Sequence, residues 1–274
     1  MTVSVLIFVL NEELHLPGCL SALQWADDVI VVDSFSTDRT REISEAAGAR
    51  FVQHPFLSMW EQRNWALEHA GARHEWTLIL DADERVPPEL ARELQEVARA
   101  APNSVAAYRV RRRFHLWGRW LRYSSLYPTW IVRLVRRGRV RYFARGHGEG
   151  EEVDGTVGSL AHDLVDENLG SLEEWFDRQN FYSTKDARYE LETERDRVSI
   201  RELFAADPAL RRSALKSLAA RLPGRALAYF LYSYVLRGGF LDGRDGLVFC
   251  TMRAMYQHMV AVKKYDLRRN RLRG

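Results

Sequence analysis

Four short apolar runs, Val3–Val9, Val29–Asp33, Arg50–Gln53 and Trp76–Leu80, are rich in β-branched residues and are bounded by polar clusters, so each reads as a buried strand. Between them, Leu14–Leu23, Asp38–Ala47, Met59–Ala70 and Pro88–Ala100 have apolar positions at helical spacing, and Pro87 and Pro88 suit a first turn, where a missing N–H costs nothing. Strand and helix in alternation predict an α/β fold whose mostly parallel sheet is covered by helices on both faces. Ligands of such sheets bind beyond the carboxyl ends of the strands. That rule gathers Asn11–Glu13, Asp33–Asp38 and Asp81–Arg85 around one crevice, because each group directly follows a strand.

Past Ala100 the pattern shifts to shorter β-like pieces, Val105–Arg113, Ile131–Val135 and Val140–Phe143, separated by aromatic and glycine turns. Leu172–Leu191 is a long amphipathic helix, and further helical segments with cationic flanks follow Asp207 and Pro208. A soft boundary at Glu194–Asp207 divides the chain into residues 1–200 and a helical region, 201–274. Within the latter, Ala226–Leu236 is an uncharged run between Arg225 and Arg237. It falls well short of the roughly 20 residues that span a bilayer, which leaves a core helix or one lying on a membrane surface.

The composition is that of a cored globular protein, with 46% hydrophobic and 28% charged residues in 274. Cys19 and Cys250 make neither a disulfide framework nor a zinc ribbon, and Val3–Leu10 runs into Asn11, Glu12 and Glu13 without a basic leader, so a cytoplasmic setting is expected. The net charge of +3 conceals segregation. Residues 211–274 hold 14 Lys and Arg against three acids, and Arg109–Arg145 holds 12 arginines and no acid. Two basic regions in an otherwise acidic chain suit phosphate or an anionic membrane surface, or are solvated faces. Arginines 109, 111, 112, 113, 119 and 122 interleave with Phe114, Trp117, Trp120 and Tyr123, a mixture that also binds single-stranded nucleic acid. No RRM, KH or OB signature accompanies it, so nucleic acid is not the expected partner.

Asp81 and Asp83 close a strand with one residue between them, so both carboxylates lie on one side of its end, and hard oxygen ligands suit Mg²⁺ or Mn²⁺. Asp33-Ser34-Phe35-Ser36-Thr37-Asp38 offers a carboxylate for a base or ribose, with Ser36 or Thr37 equally a plain N-cap. Glycines 146, 148 and 150 are no dinucleotide fingerprint, since Glu151 stands where the third glycine would be.

The segments VSVLIFVLNEE, DDVIVVDSFSTDRT at Asp27–Thr40, HPF and QRNWAL between His54 and Leu67, LILDADER at Leu78–Arg85, LAHD at His162 and GGFLDGRDGL at Gly238–Leu247 form a recognisable constellation. In them the chain resembles the GT-A glycosyltransferases of family 2, and within these the lipopolysaccharide core β-1,4-glucosyltransferase group. The resemblance implies a Rossmann-like GT-A domain over 1–200 with a C-terminal helical region. It implies an inverting, metal-dependent transfer of a hexose from a nucleotide-diphosphate sugar, UDP-linked, to a saccharide or glycolipid acceptor at the inner membrane face. By the same resemblance Asn11, Glu13, Asp33, Ser36, Asp38, Arg63 and Asp81 bind the nucleotide sugar. Asp83 and His162 hold Mg²⁺ or Mn²⁺, and Glu149 is the base. Related sequences present a His-Glu pair where this chain has His147-Gly148-Glu149, so Glu151 is an alternative base. Two rival functions stay open: a sugar-1-phosphate nucleotidyltransferase, which would lack its glycine-rich phosphate loop here, and a non-catalytic glycan- or membrane-binding module on the same fold.

Overall fold

A computed structural model describes residues 3–145, 148–193 and 224–271. The chain divides into two compact units, one of Met1–Arg122, Tyr127–Ala144 and Gly148–Gly170, the other of Tyr123–Leu126, Arg145–His147 and Ser171–Gly274. The Glu194–Asp207 boundary expected from the sequence lies outside the described residues.

The first unit opens with β1 (Val3–Val9), α1 (Leu16–Ser21), β2 (Val29–Asp33), α2 (Thr40–Ala46), β3 (Arg50–Gln53), α3 (Met59–His69), β4 (Trp76–Asp81), β5 (Glu84–Arg85) and α4 (Pro88–Ala100). The strands β3, β2, β1 and β4 lie side by side in parallel, as the alternating pattern predicts. Every residue of β1 is buried, and the pleat sorts them. Val3, Val5, Ile7 and Val9 pack with Leu16 of α1 and Leu90 and Leu94 of α4, whereas Leu6 and Phe8 pack with Ala66 and Leu67 of α3. Helices therefore cover both faces, which is why these strands read as continuous apolar runs.

Six further strands, β6 (Val105–Leu116), β7 (Arg119–Trp120), β8 (Thr129–Arg136), the pair β9 (Val140–Arg145) and β10 (Gly148–Val153), and then β11 (Thr156–Asn168), make the rest of the unit. The main sheet runs β3-β2-β1-β4-β8-β6-β11-β5, with β8 antiparallel to both β4 and β6, and β11 parallel to β6. The sheet is thus parallel through its first half and mixed beyond. The acidic glycine-rich segment around Glu149 is the strand β10, and β11 is a long strand with no clear alternation because its burial is uneven. Asp166 of β11 sits opposite Glu84 in the antiparallel β5–β11 register, which carries the far end of the chain back to the tip of β4.

The second unit contains α5 (Leu172–Thr193), α6 (Arg225–Phe230), a π-helical turn at Leu231–Leu236, a 3₁₀ turn at Gly239–Asp242 and α7 (Gly243–Arg271). Trp175, Gln179, Ser183, Ala187 and Leu191 bury one stripe of α5 at every fourth position, and Ala187 packs against Tyr256 and Val260 of α7. Glu190 accepts from Arg225 at 2.8 Å and Lys264 at 3.0 Å. Asp242 accepts from the Tyr123 and Ser124 amides and the Ser124 hydroxyl at 2.9, 2.7 and 2.7 Å. A Cβ on Gly246 would stand 2.2 Å from the Gly239 carbonyl oxygen, so the glycines of the Gly238–Leu247 motif permit backbone contact. The single uninterrupted helix expected over Ala226–Leu236 is instead α6 followed by the π-helical turn, and Ser233 is its one buried residue. Leu227, Leu231, Val235 and Leu236 are exposed, so the core-helix reading does not hold. No helix among the described residues is long and apolar enough to cross a membrane.

Candidate active site

The loops after β1 and β2 are bound to each other. Asn11 adopts a left-handed backbone (φ 55°), which its short polar side chain tolerates, and its amide donates to Ser36 Oγ at 2.8 Å while its Oδ1 accepts from the Thr37 amide at 2.8 Å. The Glu13 amide donates to Asp38 Oδ2 at 3.0 Å, and Glu13 Oε2 accepts from the Arg39 amide at 3.2 Å. Burial opposes ionisation of Asp38, but hydrogen bonds from Thr40 and from the Glu13 amide hold its carboxyl below the usual range. Asp33 is fully buried. Its oxygens accept from the Ser36 amide, from the Ser36 hydroxyl and from Gln53 Nε2 at 3.0 Å. The structure therefore brings Asn11, Glu13, Asp33, Ser36 and Asp38 together beyond the ends of β1 and β2. The Asp33 carboxylate thus orders the loop after β2 and fastens it to Gln53 of β3.

Helix α3 supplies the next layer through three consecutive residues. Gln62 donates to Ser34 Oγ at 3.0 Å, reaching the β2 loop. Arg63 is buried and pairs with Asp81 Oδ1 at 3.1 Å and with Glu149 Oε1 of β10 at 2.6 Å. The Asn64 side chain donates to the Tyr142 carbonyl at 2.9 Å and accepts from its amide at 2.8 Å, fastening β9 to the helix.

At the end of β4 the carboxylates diverge. Burial would raise the Asp81 carboxyl, yet Arg133 at 2.6 Å and Arg63 bring it down to about 2. Glu84 accepts from the same Arg133 at 2.6 Å and from the Asp81 amide at 3.0 Å, but burial pushes it up to about 7. Asp83 is driven well above the ordinary carboxylate range by burial and next by the negative charge of Asp166. Asp166, paired with Arg112 at 3.0 Å, is itself raised by burial. Burial also raises Glu149. Glu151 is exposed, and its neighbour Gly150 packs against the Phe143 ring.

His162 is not part of this cluster. It lies four residues before Asp166 on β11, roughly 13 Å along an extended strand, and its Nδ1 pairs with Glu93 of α4 at 2.8 Å. The carboxylate whose charge acts most on Asp83 is Asp166, while His162 faces Glu93. Among the described residues no three His, Cys, Asp or Glu side chains gather as a complete metal cage. Two like-charged carboxyls of raised basicity fit a hard divalent cation that takes its other ligands from phosphate and water. The sequence reading also missed Arg133 and Arg112, which it counted only as members of a basic surface. Arg133 alone gives a hint: it sits in an apolar stretch, Ile131–Val135, where an arginine needs a buried partner.

The chain matches the family model "Glycosyl transferase family 2" over residues 4–162. A lipopolysaccharide core biosynthesis glycosyltransferase, LpsC, of Rhizobium meliloti (strain 1021) is 29% identical over 97% of this chain and 93% of its own length. An uncharacterized glycosyltransferase of Rickettsia bellii (strain RML369-C) is 35% identical, but the match covers only 35% of this chain and 32% of that protein. Among solved structures, a mannosyltransferase from Pyrobaculum calidifontis, in complex with GDP-Man and Mn²⁺, superposes with a TM-score of 0.52 at 16% identity. It covers 96% of this chain and 87% of the other, and at that identity the likeness speaks for the GT-A fold alone. The family match takes in more than half of the chain and contains the β1 and β2 loops, Arg63, Asp81, Asp83 and Glu149, so the chain belongs to glycosyl transferase family 2.

Proposed function

We propose that this glycosyltransferase moves a hexose from a nucleotide-diphosphate sugar, UDP-linked, to a phosphate-bearing glycolipid of the lipopolysaccharide core, inverting the anomeric centre. The observation that supports the reading best is the single Arg63 guanidinium that joins Asp81, at the carboxyl end of β4, to Glu149. In this reading it links a donor-side carboxylate to the base. The likeness to LpsC over nearly the whole chain favours a lipopolysaccharide core acceptor.

In this reading Glu149 takes the proton of the acceptor hydroxyl as the oxygen attacks the anomeric carbon and the bond to the diphosphate breaks. Burial raises Glu149, which brings a carboxylate nearer the basicity that such a role needs. The loops after β1 and β2, already braced against each other, form the floor for the nucleoside. Asp83 and Asp166 would hold Mg²⁺ or Mn²⁺, which when bound supplies charge neutralisation for the departing diphosphate. Asp81, kept ionised by two arginines, orients the groups around it. The exposed apolar surface of Leu227–Leu236, with the basic balance of residues 211–274, supports peripheral association with the inner face of an anionic membrane.

The test is transfer from UDP-hexoses to a core acceptor, with product stereochemistry read by NMR. Glu149→Gln should lower kcat by about 10² to 10⁴ with donor affinity near that of the wild type, and Glu151→Gln should be mild. Pyrophosphate release in place of UDP would convert the reading to a nucleotidyltransferase. A reversed pair of variants would move the base to Glu151.

A further inference from the structure

Arg63 is built more tightly than a donor contact requires. It projects from α3 with 4% of its side chain exposed, and its guanidinium lies between the rings of Phe8 and Tyr142, with centroids 5.7 and 5.6 Å away. Tyr142 is itself fixed, because Asn64, the next residue of the same helix, makes two hydrogen bonds to its backbone. One Nη then meets Glu149 Oε1 and the other Asp81 Oδ1. Glu149 Oε2 is buried and has no hydrogen-bond partner. A buried carboxylate with one bare oxygen is costly unless a cation offsets it, and Arg63 is the ion-pair partner that Glu149 has.

We propose that Arg63 is a positioning residue for the transfer step: packed against two rings, it fixes the Glu149 carboxylate in place beside Asp81 and keeps it ionised. This rests on reading Glu149 as the base. The proton passes from the acceptor hydroxyl to the Glu149 carboxylate, the new carbon–oxygen bond forms at the anomeric centre, and the electron pair of the broken bond leaves on the diphosphate. The charged and titratable groups facing Glu149 are Arg63 of α3, Arg133 of β8, Asp81 of β4, Tyr142 of β9 and Glu151 of β10. Burial raises Glu149, while Arg63 and then Arg133 lower it, so removing Arg63 leaves burial and the carboxylates less opposed.

The experiment compares the full-length wild type with Arg63→Gln, Arg63→Lys and Glu149→Gln, measuring kcat against pH at saturating donor and acceptor and checking folding by thermal melting. With Arg63→Gln, the acidic limb of kcat should move to higher pH, and the plateau should fall about 10²-fold from lost orientation. Arg63→Lys should move the limb the same way by less, because one ammonium carries the charge but cannot span both carboxylates. A limb unmoved in both variants, with only the donor KM raised, overturns the proposal and leaves Arg63 a donor contact. If Glu149→Gln keeps its rate, the base reading itself has failed, which is a distinguishable result. Should Arg63→Gln not fold, Arg63→Lys decides by the same criterion.

Discussion

Asp81 and Asp83 are two residues apart on one strand end and stand in opposite electrostatic settings. Burial acts on both, but Arg133 and Arg63 reverse it at Asp81, and Asp166 reinforces it at Asp83. The first is therefore an anchored anion, and the second is the carboxyl with most to gain from a cation. Asp83→Asn and Asp166→Asn should each weaken the apparent Mn²⁺ affinity by at least about tenfold, the scale of losing a metal's direct or supporting carboxylate. His162→Ala should leave it unchanged, since that ring is committed to Glu93. Titration of activity and of metal-dependent UDP binding with Mn²⁺ checks both, and a large loss from His162→Ala would restore the histidine to the site. The strand-end positions of Asn11, Asp33, Asp81 and Asp83 were legible from the sequence because strand patterning is local. Asp166 was not, because an antiparallel register across 82 positions brings it to Glu84, and no local spacing encodes that. Glu149 was named only through the resemblance, and its tie to Arg63 needed the packing of β10 on α3.

The two edges of the parallel strands have different duties. At the carboxyl edge lie the polar loops of the proposed donor site, while at the amino edge Asp28, just before β2, ties neighbouring elements together. It accepts from Ser4 of β1 at 2.6 Å, from the Arg73 amide ahead of β4 at 2.8 Å and from Arg50 of β3 at 2.6 Å. Burial disfavours its charge, but Ser4, Arg73 and Arg50 outweigh that, so its folded pKa lies below the ordinary value. The stabilisation is therefore present above the unfolded carboxylate pKa of about 4 and is lost as pH falls through the lower folded value. Asp28→Asn keeps the shape but turns an amide toward three donors, and should cost about 1 to 3 kcal/mol near neutral pH. Urea unfolding at neutral and acidic pH would show the difference between the proteins shrinking as acid protonates the wild-type residue. An undiminished difference at low pH would assign the loss to packing. The alternating β and α elements here were readable because periodicity is local, but β10 and β11 were not. Glycines and charges in β10 imitate a turn, and β11 mixes exposed and buried positions without a period of two.

At the scale of the whole molecule the open question is what covers the apolar surface of the second unit. Leu236, Leu227 and Leu241 are 77, 63 and 59% exposed, and Leu231, Val235 and Phe240 lie open on the same short stretch of chain. An exposed cluster of this kind next to an excess of 11 positive charges over residues 211–274 suits an anionic lipid surface better than it suits water. The π-helical turn has a part in this. Ser233 is its one buried member, and the α-helical turn before it, Arg225–Phe230, buries none. Each basic residue near such a surface contributes roughly 1 kcal/mol and is screened over a Debye length of about 8 Å at physiological salt, while the apolar contact is not screened. Binding of the full chain to anionic vesicles should therefore weaken, without vanishing, as salt rises, and should be poor on neutral vesicles. Replacing Leu231 and Leu236 together with Glu should remove the salt-resistant part while leaving turnover on a soluble acceptor fragment intact, because neither residue is placed in the crevice. Sedimentation with both vesicle types at low and high salt measures this directly. Equal pelleting of the wild type and the double variant would mean that this surface is not what meets the lipid, and that charge alone brings the enzyme to its acceptor.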